Sequence, residues 1–346
     1  MSLISIWYIV LAVLVFGVLI FIHESGHFIC ARLCGVTVKE FAIGMGPQIF
    51  SWKSREHETK YSLRLLPVGG YVSMLGEDEA SDSENAFNNK SVWKRFSIII
   101  AGPAMNLILG FLVMIVMVTS VGTLYSNTIE YADNTTPISE SFGIMDGDKI
   151  VKIGKTRVHT WYEVNYEITY QGGEPVDITV KRGDREIVIE DVLFPTTQAD
   201  GIVFGNADFI PLPEDFNITN VIKHSFFRSL STVKMIIDSF VDLLSGKYGL
   251  EAMSGPVGIT QTIGDFASHG WYYFLYIFVV ITINLGVFNL FPIPALDGGR
   301  LLFLTVEAII GKPLNPKIES YIHFIGFVLM LGLVILVTFN DILRLF

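Results

Sequence analysis

Four predominantly apolar runs punctuate the chain, at about 4–33, 96–122, 271–293 and 320–340. Crossing the hydrocarbon core of a bilayer takes roughly 20 helical residues, so each run predicts a transmembrane helix. The stretches between them are built differently. In 34–95, Ser62 and Arg64 alternate with Leu63 and Leu65 just ahead of Gly69-Gly70. That two-residue period predicts a β-hairpin dipping into the membrane. In 126–200, Val176, Ile178 and Val180 alternate, Arg182-Gly183-Asp184 turns the chain, and Ile187 and Ile189 resume the alternation. This predicts a second hairpin, with a short helix before it around Val164 and Ile168. In 216–250, Ile222, Phe226, Leu230, Val233 and Ile237 recur at helical spacing and predict an amphipathic helix leading back to the third span.

The expected fold class is therefore a polytopic α-helical membrane protein of four transmembrane helices, with a membrane-associated β-hairpin region and a small α+β extracytoplasmic domain. The segments are 1–33, the first transmembrane helix; 34–95, a cytoplasmic-side loop with the hairpin; 96–125, the second helix; and 126–200, the α+β domain. They continue with 201–270, an amphipathic helical connector; 271–299, the third helix; and 300–346, a loop and the fourth helix. Orientation follows from the nine Lys/Arg of residues 31–95, since short positively charged loops stay in the cytoplasm. Residues 126–270 and both termini then lie outside, and Arg300, Lys312 and Lys317 fall inside.

Composition narrows the function. Hydrophobic residues make up 51% of the chain and charged residues 17%, a balance foreign to soluble domains. A net charge of −10 argues against a nucleic-acid partner. Two cysteines, Cys30 and Cys34, cannot build a secreted disulfide framework. Residues 1–22 carry no charge and lack the basic start and small-residue cleavage site of a signal peptide, so they read as a retained span. The acidic run from Glu77 to Glu84 reads as a solvated loop.

The first span ends in His23-Glu24-Ser25-Gly26-His27. Residues i and i+4 of a helix stack on one face, so both imidazoles can bind one ion. Glu24 lies off that line, where a carboxylate can take a proton from water activated by zinc during attack on a peptide carbonyl. Ionisable side chains inside a span are costly, and three at metal-ligand spacing point to function. Catalytic zinc wants three protein ligands and an open position. Cys30 and Cys34 continue the same helical face, but His23 and Cys30 are about 10 Å apart along the axis, too far for one ion. They are expected to be packing residues, and the third ligand must come from another span. The third span supplies Asp297, in Asn289-Leu-Phe-Pro292-Ile-Pro294-Ala-Leu-Asp297-Gly298-Gly299. Its prolines break the helix, and broken backbone at membrane depth is tolerated where it is buried or lines a watery cavity. The first and third spans run in the same direction, so both histidines and Asp297 share one depth. Ala101-Gly102-Pro103-Ala104-Met105-Asn106 begins the second span near that depth, and Asn106 is open to either packing or a catalytic role. His57, His159, His224 and His269 lack partners at ligand spacing, and His323 has Glu319 one turn earlier as a local partner.

Together these residues resemble the site-2 protease family of intramembrane zinc metalloproteases, in its bacterial regulator-of-sigma-E form with a single PDZ domain. The stretches Pro67-Val68-Gly69-Gly70-Tyr71-Val72, Gly102 to Asn106 and Ser254-Gly255-Pro256-Val257-Gly258 belong to the same resemblance. It implies zinc held by His23, His27 and Asp297, Glu24 as general base, and Asn289 holding the substrate backbone or the oxyanion. It makes 126–195 a PDZ domain, with Ser141 to Asp148 fitting its pattern and Asn134-Thr135-Thr136-Pro137 as the groove loop. Gly69 and Gly70 are expected at a strand edge that pairs with an unwound substrate segment. The implied partners are membrane lipid and single-span membrane proteins already trimmed outside the membrane, such as an anti-sigma factor or a remnant signal peptide, with the extracytoplasmic domain filtering by size. The implied location is the bacterial inner membrane. A metal or proton transporter and an inactive scaffold are the competing functions; the sequence has no inverted repeat, and no member of the metal set is missing.

Overall fold

The computed structural model describes residues 6–54, 58–77, 79, 81–132, 137–199, 202–247, 249 and 253–344. His57 and the Asn134-Thr135-Thr136 stretch of the expected groove loop lie outside them, as do Asp78 and Ala80 of the acidic run. The chain divides into two compact units, one from Met1–Val113 with Ile236–Phe346 and one from Met114–Met235.

In chain order the elements are helix α1 (Ile6–Leu33), strands β1 (Val38–Lys53) and β2 (Lys60–Met74), helix α2 (Val92–Val121), and strands β3 (Leu124–Glu130), β4 (Lys149–Ile153) and β5 (Thr156–Arg157). Helix α3 (Trp161–Gln171), strands β6 (Val176–Arg182), β7 (Arg185–Val192), β8 (Thr196–Ala199), β9 (Ile202–Gly205) and β10 (Ile210–Glu214), and helix α4 (Ile218–Leu244) follow. The chain closes with α5 (Pro256–Ser268), α6 (Trp271–Leu290), α7 (Asp297–Ile310) and α8 (Pro316–Arg344).

Among the described residues, four helices are long and apolar enough to cross a membrane: α1, α2, α6 and, from Lys317, α8. By length and composition they fit a multi-pass membrane protein. Phe324, Leu329, Ile335 and Phe339 on α8 are all more than 60% exposed within the protein. Apolar surface of that extent is stable against lipid rather than water. Small residues let the helices approach closely, since lipid tails give them no hydrophobic drive to associate. A methyl on Gly26 of α1 would come within 2.9 Å of Met105 on α2 and collide with the Ala101 carbonyl. Between α2 and α6 the same holds for Gly110, which faces Ile283, and Gly286, which faces Leu107.

The β-hairpin of this unit is more folded than its alternation predicts. Ile43 of β1 stands opposite Gly70 on one side and Leu63 on the other, while Phe50 also pairs with Leu63. The segment 60–63 is thus shared between two parts of β1, and Gly70 to Met74 forms an outer strand. Met45, Ile49, Phe50, Trp52, Leu65 and Leu66 project apolar side chains from this sheet.

In the second unit, β10, β3, β4, β6 and β7 form one sheet in that order, with β5 added on β4. Ile150, Ile153, Ile178 and Val180 from its strands pack with Val164 and Ile168 of α3 in one apolar core. The expected hairpin is present with Arg182 opposite Arg185, and α3 begins in a Thr160/Glu163 capping box. Residues 201–270 are not a helical connector throughout: β9 pairs with β8, and β10 adds to β3. Pro211 and Pro213 sit at the edge of the sheet, where a missing N–H costs no ladder bond. The expected loop after residue 300 is also corrected, since α7 runs to Ile310.

Candidate metal centre

His23 and His27 sit one turn apart on the inward face of α1, their ring centroids 4.9 Å apart and nearly perpendicular. Asp297 arrives from a separate element. Pro292 and Pro294 cannot donate to a helix ladder, so α6 stops at Leu290 and α7 restarts at Asp297. Gly298 and Gly299 let the restarted helix press on the broken segment, where a methyl on Gly299 would lie 2.6 Å from the Ile293 carbonyl oxygen. Ala295 is held at φ 78°, a left-handed conformation unusual for a side-chain-bearing residue, and its N–H donates to His323 Nδ1 over 3.0 Å. The polar partner of His323 is therefore this turn and not Glu319.

The three groups converge. Asp297 Oδ2 lies 3.1 Å from His23 Nε2 and 3.3 Å from His27 Nε2, and the two Nε2 atoms are 3.2 Å apart. A tetrahedral zinc with bonds of about 2.0–2.1 Å separates its ligand atoms by about 3.3–3.4 Å, so the triangle has the size of one tetrahedral face. Asp297 Oδ2 is shut off from solvent and faces only the two imidazoles, which aims its lone pairs into the triangle. His27 Nδ1 faces the Ile98 carbonyl at 2.9 Å and donates to it, because a carbonyl only accepts. That turns the Nε2 lone pair of His27 towards the centre of the triangle. His23, His27 and Asp297 could hold a metal ion in this arrangement.

The other expected residues are placed as follows. Glu24 is half-buried beside the triangle, and a methyl on Gly70 would come within 3.0 Å of its Cγ, so the outer strand of the hairpin runs directly past the carboxylate-bearing side chain. Gly69, at φ 79°, faces Met45 instead. The amide of Asn289 donates to the Leu285 carbonyl over 2.9 Å, within its own helix. Cys30 and Cys34 pack in an apolar cluster with Ala31, Val36 and Phe41. His224, read as having no partner at ligand spacing, pairs with Glu214 at 2.7 Å, and the two are brought together by the β10 strand that the sequence pattern does not announce.

Two contacts were not anticipated. Gly102 lies against both imidazoles, where a methyl would be 2.9 Å from His23 Nε2 and would overlap His27 Nε2. Asn106, one turn further along α2 and fully buried, puts its amide 3.2 Å from His23 Nδ1. The Gly-Pro-Ala-Met-Asn stretch carried the signal, as small and polar residues inside a span, but not the identity of the partner.

Residues 11–333 match the family profile described as peptidase family M50. The chain belongs to that family. Among curated relatives of this M50 peptidase, the zinc metalloprotease RasP of Geobacillus kaustophilus is 30% identical, the match covering 96% of this chain and 97% of that one. The regulator of sigma-W protease RasP of Bacillus subtilis is 29% identical over 96% and 98% of the two chains. A Clostridium acetobutylicum protein named as a candidate zinc metalloprotease is 37% identical over 98% of both. The M50 peptidase described here is a zinc metalloprotease, and the site-2 protease resemblance holds across nearly its whole length. Family membership does not favour the transporter and inactive-scaffold alternatives.

Proposed function

We propose that this peptidase cleaves single-span membrane proteins within or next to their transmembrane segments after their extracytoplasmic parts have been trimmed, in regulated intramembrane proteolysis of the anti-sigma-factor or remnant-signal-peptide type. The observation that carries the reading is the 3.1–3.3 Å triangle of His23, His27 and Asp297 with Glu24 beside it, drawn from two apolar helical segments. His23, His27 and Asp297 hold zinc. Bound zinc supplies Lewis acidity towards water and the scissile carbonyl. Glu24 takes the proton from the attacking water and passes it to the leaving amine. Asn289 holds the substrate backbone or the developing oxyanion; this requires its amide to leave the Leu285 carbonyl when substrate binds.

A transmembrane helix hides its scissile carbonyls in its own hydrogen bonds, so it must be unwound before attack. The outer strand Gly70 to Met74, with Gly70 against Glu24, supports β-addition of the unwound segment at that edge. Gly69 and Gly70 form the part nearest the chemistry.

Both termini and the 126–200 domain lie on the extracytoplasmic side of the bacterial inner membrane, and the 34–95 segment on the cytoplasmic side. The extracytoplasmic domain is PDZ-like and selects trimmed substrates by size. Deleting 126–195 should then allow untrimmed substrates to be cut, and unchanged selectivity would refute the filter. The catalytic assignment has a sharper test. Purified Glu24→Gln should keep its zinc and lose cleavage of a transmembrane peptide; retained cleavage removes Glu24 from the chemistry.

A further inference from the structure

We infer that Asn106 is a positioning residue that fixes the tautomer of His23 and so makes it a competent zinc ligand, an inference that rests on the ligand set proposed above. A neutral imidazole can coordinate through only the nitrogen that does not carry its proton. For both rings that nitrogen must be Nε2, since the two Nε2 atoms and Asp297 Oδ2 form the triangle. Each ring therefore needs a hydrogen-bond acceptor at Nδ1 to hold the proton there. For His27 the acceptor is the Ile98 carbonyl on α2. For His23 the group facing Nδ1 is the side-chain amide of Asn106, eight residues further along the same helix.

An amide can meet that nitrogen in two ways. With Nδ2 towards the ring, as the structure has it at 3.2 Å, Asn106 donates, Nδ1 accepts, and the proton of His23 is driven to Nε2, where it points at Asp297 Oδ2. That arrangement suits a metal-free site, in which the ring and the carboxylate bond to each other. With the amide turned by half a revolution about Cβ–Cγ, Oδ1 accepts from Nδ1–H and the Nε2 lone pair is released to the ion. Oδ1 is now buried without a partner, and the turn would put Nδ2 in its place, so one end of the amide lacks a protein partner either way. The hydrogen-bond count within the protein therefore leaves both orientations accessible, and the ion selects the second. Asn106 is fully buried, so no solvent stands in for it. Helix α2 thus holds both imidazoles, one by a backbone carbonyl and one by a side chain, and Asn106 is the half of that arrangement a substitution can remove.

The test measures zinc affinity of the full-length protein in detergent, by competition with a chelator, for wild type, Asn106→Leu, Asn106→Asp and His23→Ala. Leucine keeps the volume and removes the acceptor, and the expected loss of zinc affinity is about 10–100-fold, the range for losing an outer-shell partner of a metal-bound histidine. Aspartate restores an acceptor, so Asn106→Asp should bind zinc at least as tightly as wild type. A purely packing role predicts the opposite, because a buried carboxylate would be the worse of the two replacements. Zinc affinity of Asn106→Leu within twofold of wild type overturns the inference. So does a tenfold loss in folded Asn106→Asp, which also decides the matter if the leucine variant fails to fold. His23→Ala separates this inference from the reading beneath it. If that variant keeps wild-type affinity, the ligand set is wrong; if it loses zinc while Asn106→Leu does not, the ligand set stands and Asn106 has no part in it.

Discussion

Gly102 is the position where adding a single carbon should disable the enzyme without replacing any group that takes part in the chemistry. An alanine methyl there would lie 2.9 Å from His23 Nε2 and would overlap His27 Nε2 outright. Ordinary contact between such atoms begins at about 3.5 Å, so His23 must retreat by roughly 0.5 Å and His27 by more. Metal–ligand bonds hold within about 0.2 Å of their ideal lengths, so displacement on that scale removes at least one ligand. The alternative, backing α2 away from α1, stretches the 2.9 Å bond from His27 Nδ1 to the Ile98 carbonyl and draws Asn106 from His23. Either route injures the site.

Gly102→Ala should therefore lower zinc affinity by more than the roughly 100-fold that bounds the loss of an outer-shell partner, and overpacking should cost about 1–3 kcal/mol of stability in addition. Zinc content after dialysis, cleavage of a transmembrane peptide and thermal unfolding in detergent read the three effects separately. Gly17→Ala is the matched control, since a methyl on that glycine of α1 meets nothing within 4 Å. Alanine in an open helical position is favoured over glycine by about 1 kcal/mol, so this variant should be as stable as wild type or slightly more so. Full zinc occupancy and wild-type cleavage in Gly102→Ala would refute the close packing of α2 on the imidazoles, and with it the account of why that stretch of α2 is built from small residues.

Three further outcomes follow from contacts away from the metal. Asp341, near the end of α8 and 5% exposed, accepts from the backbone N–H groups of Gly255 at 3.1 Å and Gly258 at 2.8 Å; Asp341→Ala should cost about 2 kcal/mol or more, read as a lower unfolding temperature, and an unchanged one would show that α8 is held elsewhere. Glu307 on α7 pairs with Arg95 on α2 at 2.5 Å, both side chains mostly buried; Glu307→Ala strands the arginine and should cost about 3 kcal/mol, while an Arg95→Met/Glu307→Leu double variant should recover most of it, an expectation that equal melting of the two variants would contradict. In the second unit, burial raises the carboxyl of Glu214, but hydrogen bonds from Lys223 and His224 outweigh it and leave the group below its ordinary value of 4.5. A carboxylate depressed in the folded state contributes stability above its unfolded pKa and loses it as pH falls through the folded one. Glu214→Gln should therefore flatten the decline of unfolding temperature below about pH 4.5, and parallel curves for variant and wild type would remove Glu214 from the acid response.

What could be read from the sequence and what could not divide along a physical line. His23 and His27 announce themselves because helical geometry alone makes residues four apart neighbours. Asp297 follows because two prolines in an apolar run stop a helix where a polar residue would otherwise be costly. The hairpin of β6 and β7 was legible for the same reason: the strands are joined by a short turn and bury one face. The contacts that escaped are those in which the partner lies far along the chain and no periodicity points to it. The shared strand 60–63 needs β1 to pair twice, which a two-residue alternation cannot express. Strand β10 is a short edge strand holding Pro211 and Pro213, and its partner β3 lies far back along the chain.

The Ser254-Gly255-Pro256-Val257-Gly258 stretch shows the same limit in a different way. Its residues are conspicuous, yet their meaning lies in Asp341, more than eighty residues later, whose carboxylate accepts two N–H groups at the start of α5. Both glycines keep room for that carboxylate. A methyl on Gly255 would come within 2.8 Å of the Asp341 carboxylate, and one on Gly258 within 3.2 Å. Glycine here keeps the carboxylate within bonding distance of the backbone, as Gly102 admits the imidazoles and Gly70 admits Glu24. In a bilayer, where helices gain little from hiding apolar surface against one another, such close approaches are a main source of tertiary specificity. A glycine met inside an apolar run of this chain is therefore often the imprint of a partner side chain rather than a weak point in the helix, as at Gly26, Gly102, Gly110 and Gly286, while Gly17 and Gly332 face open space, the first of them the position that the alanine control exploits.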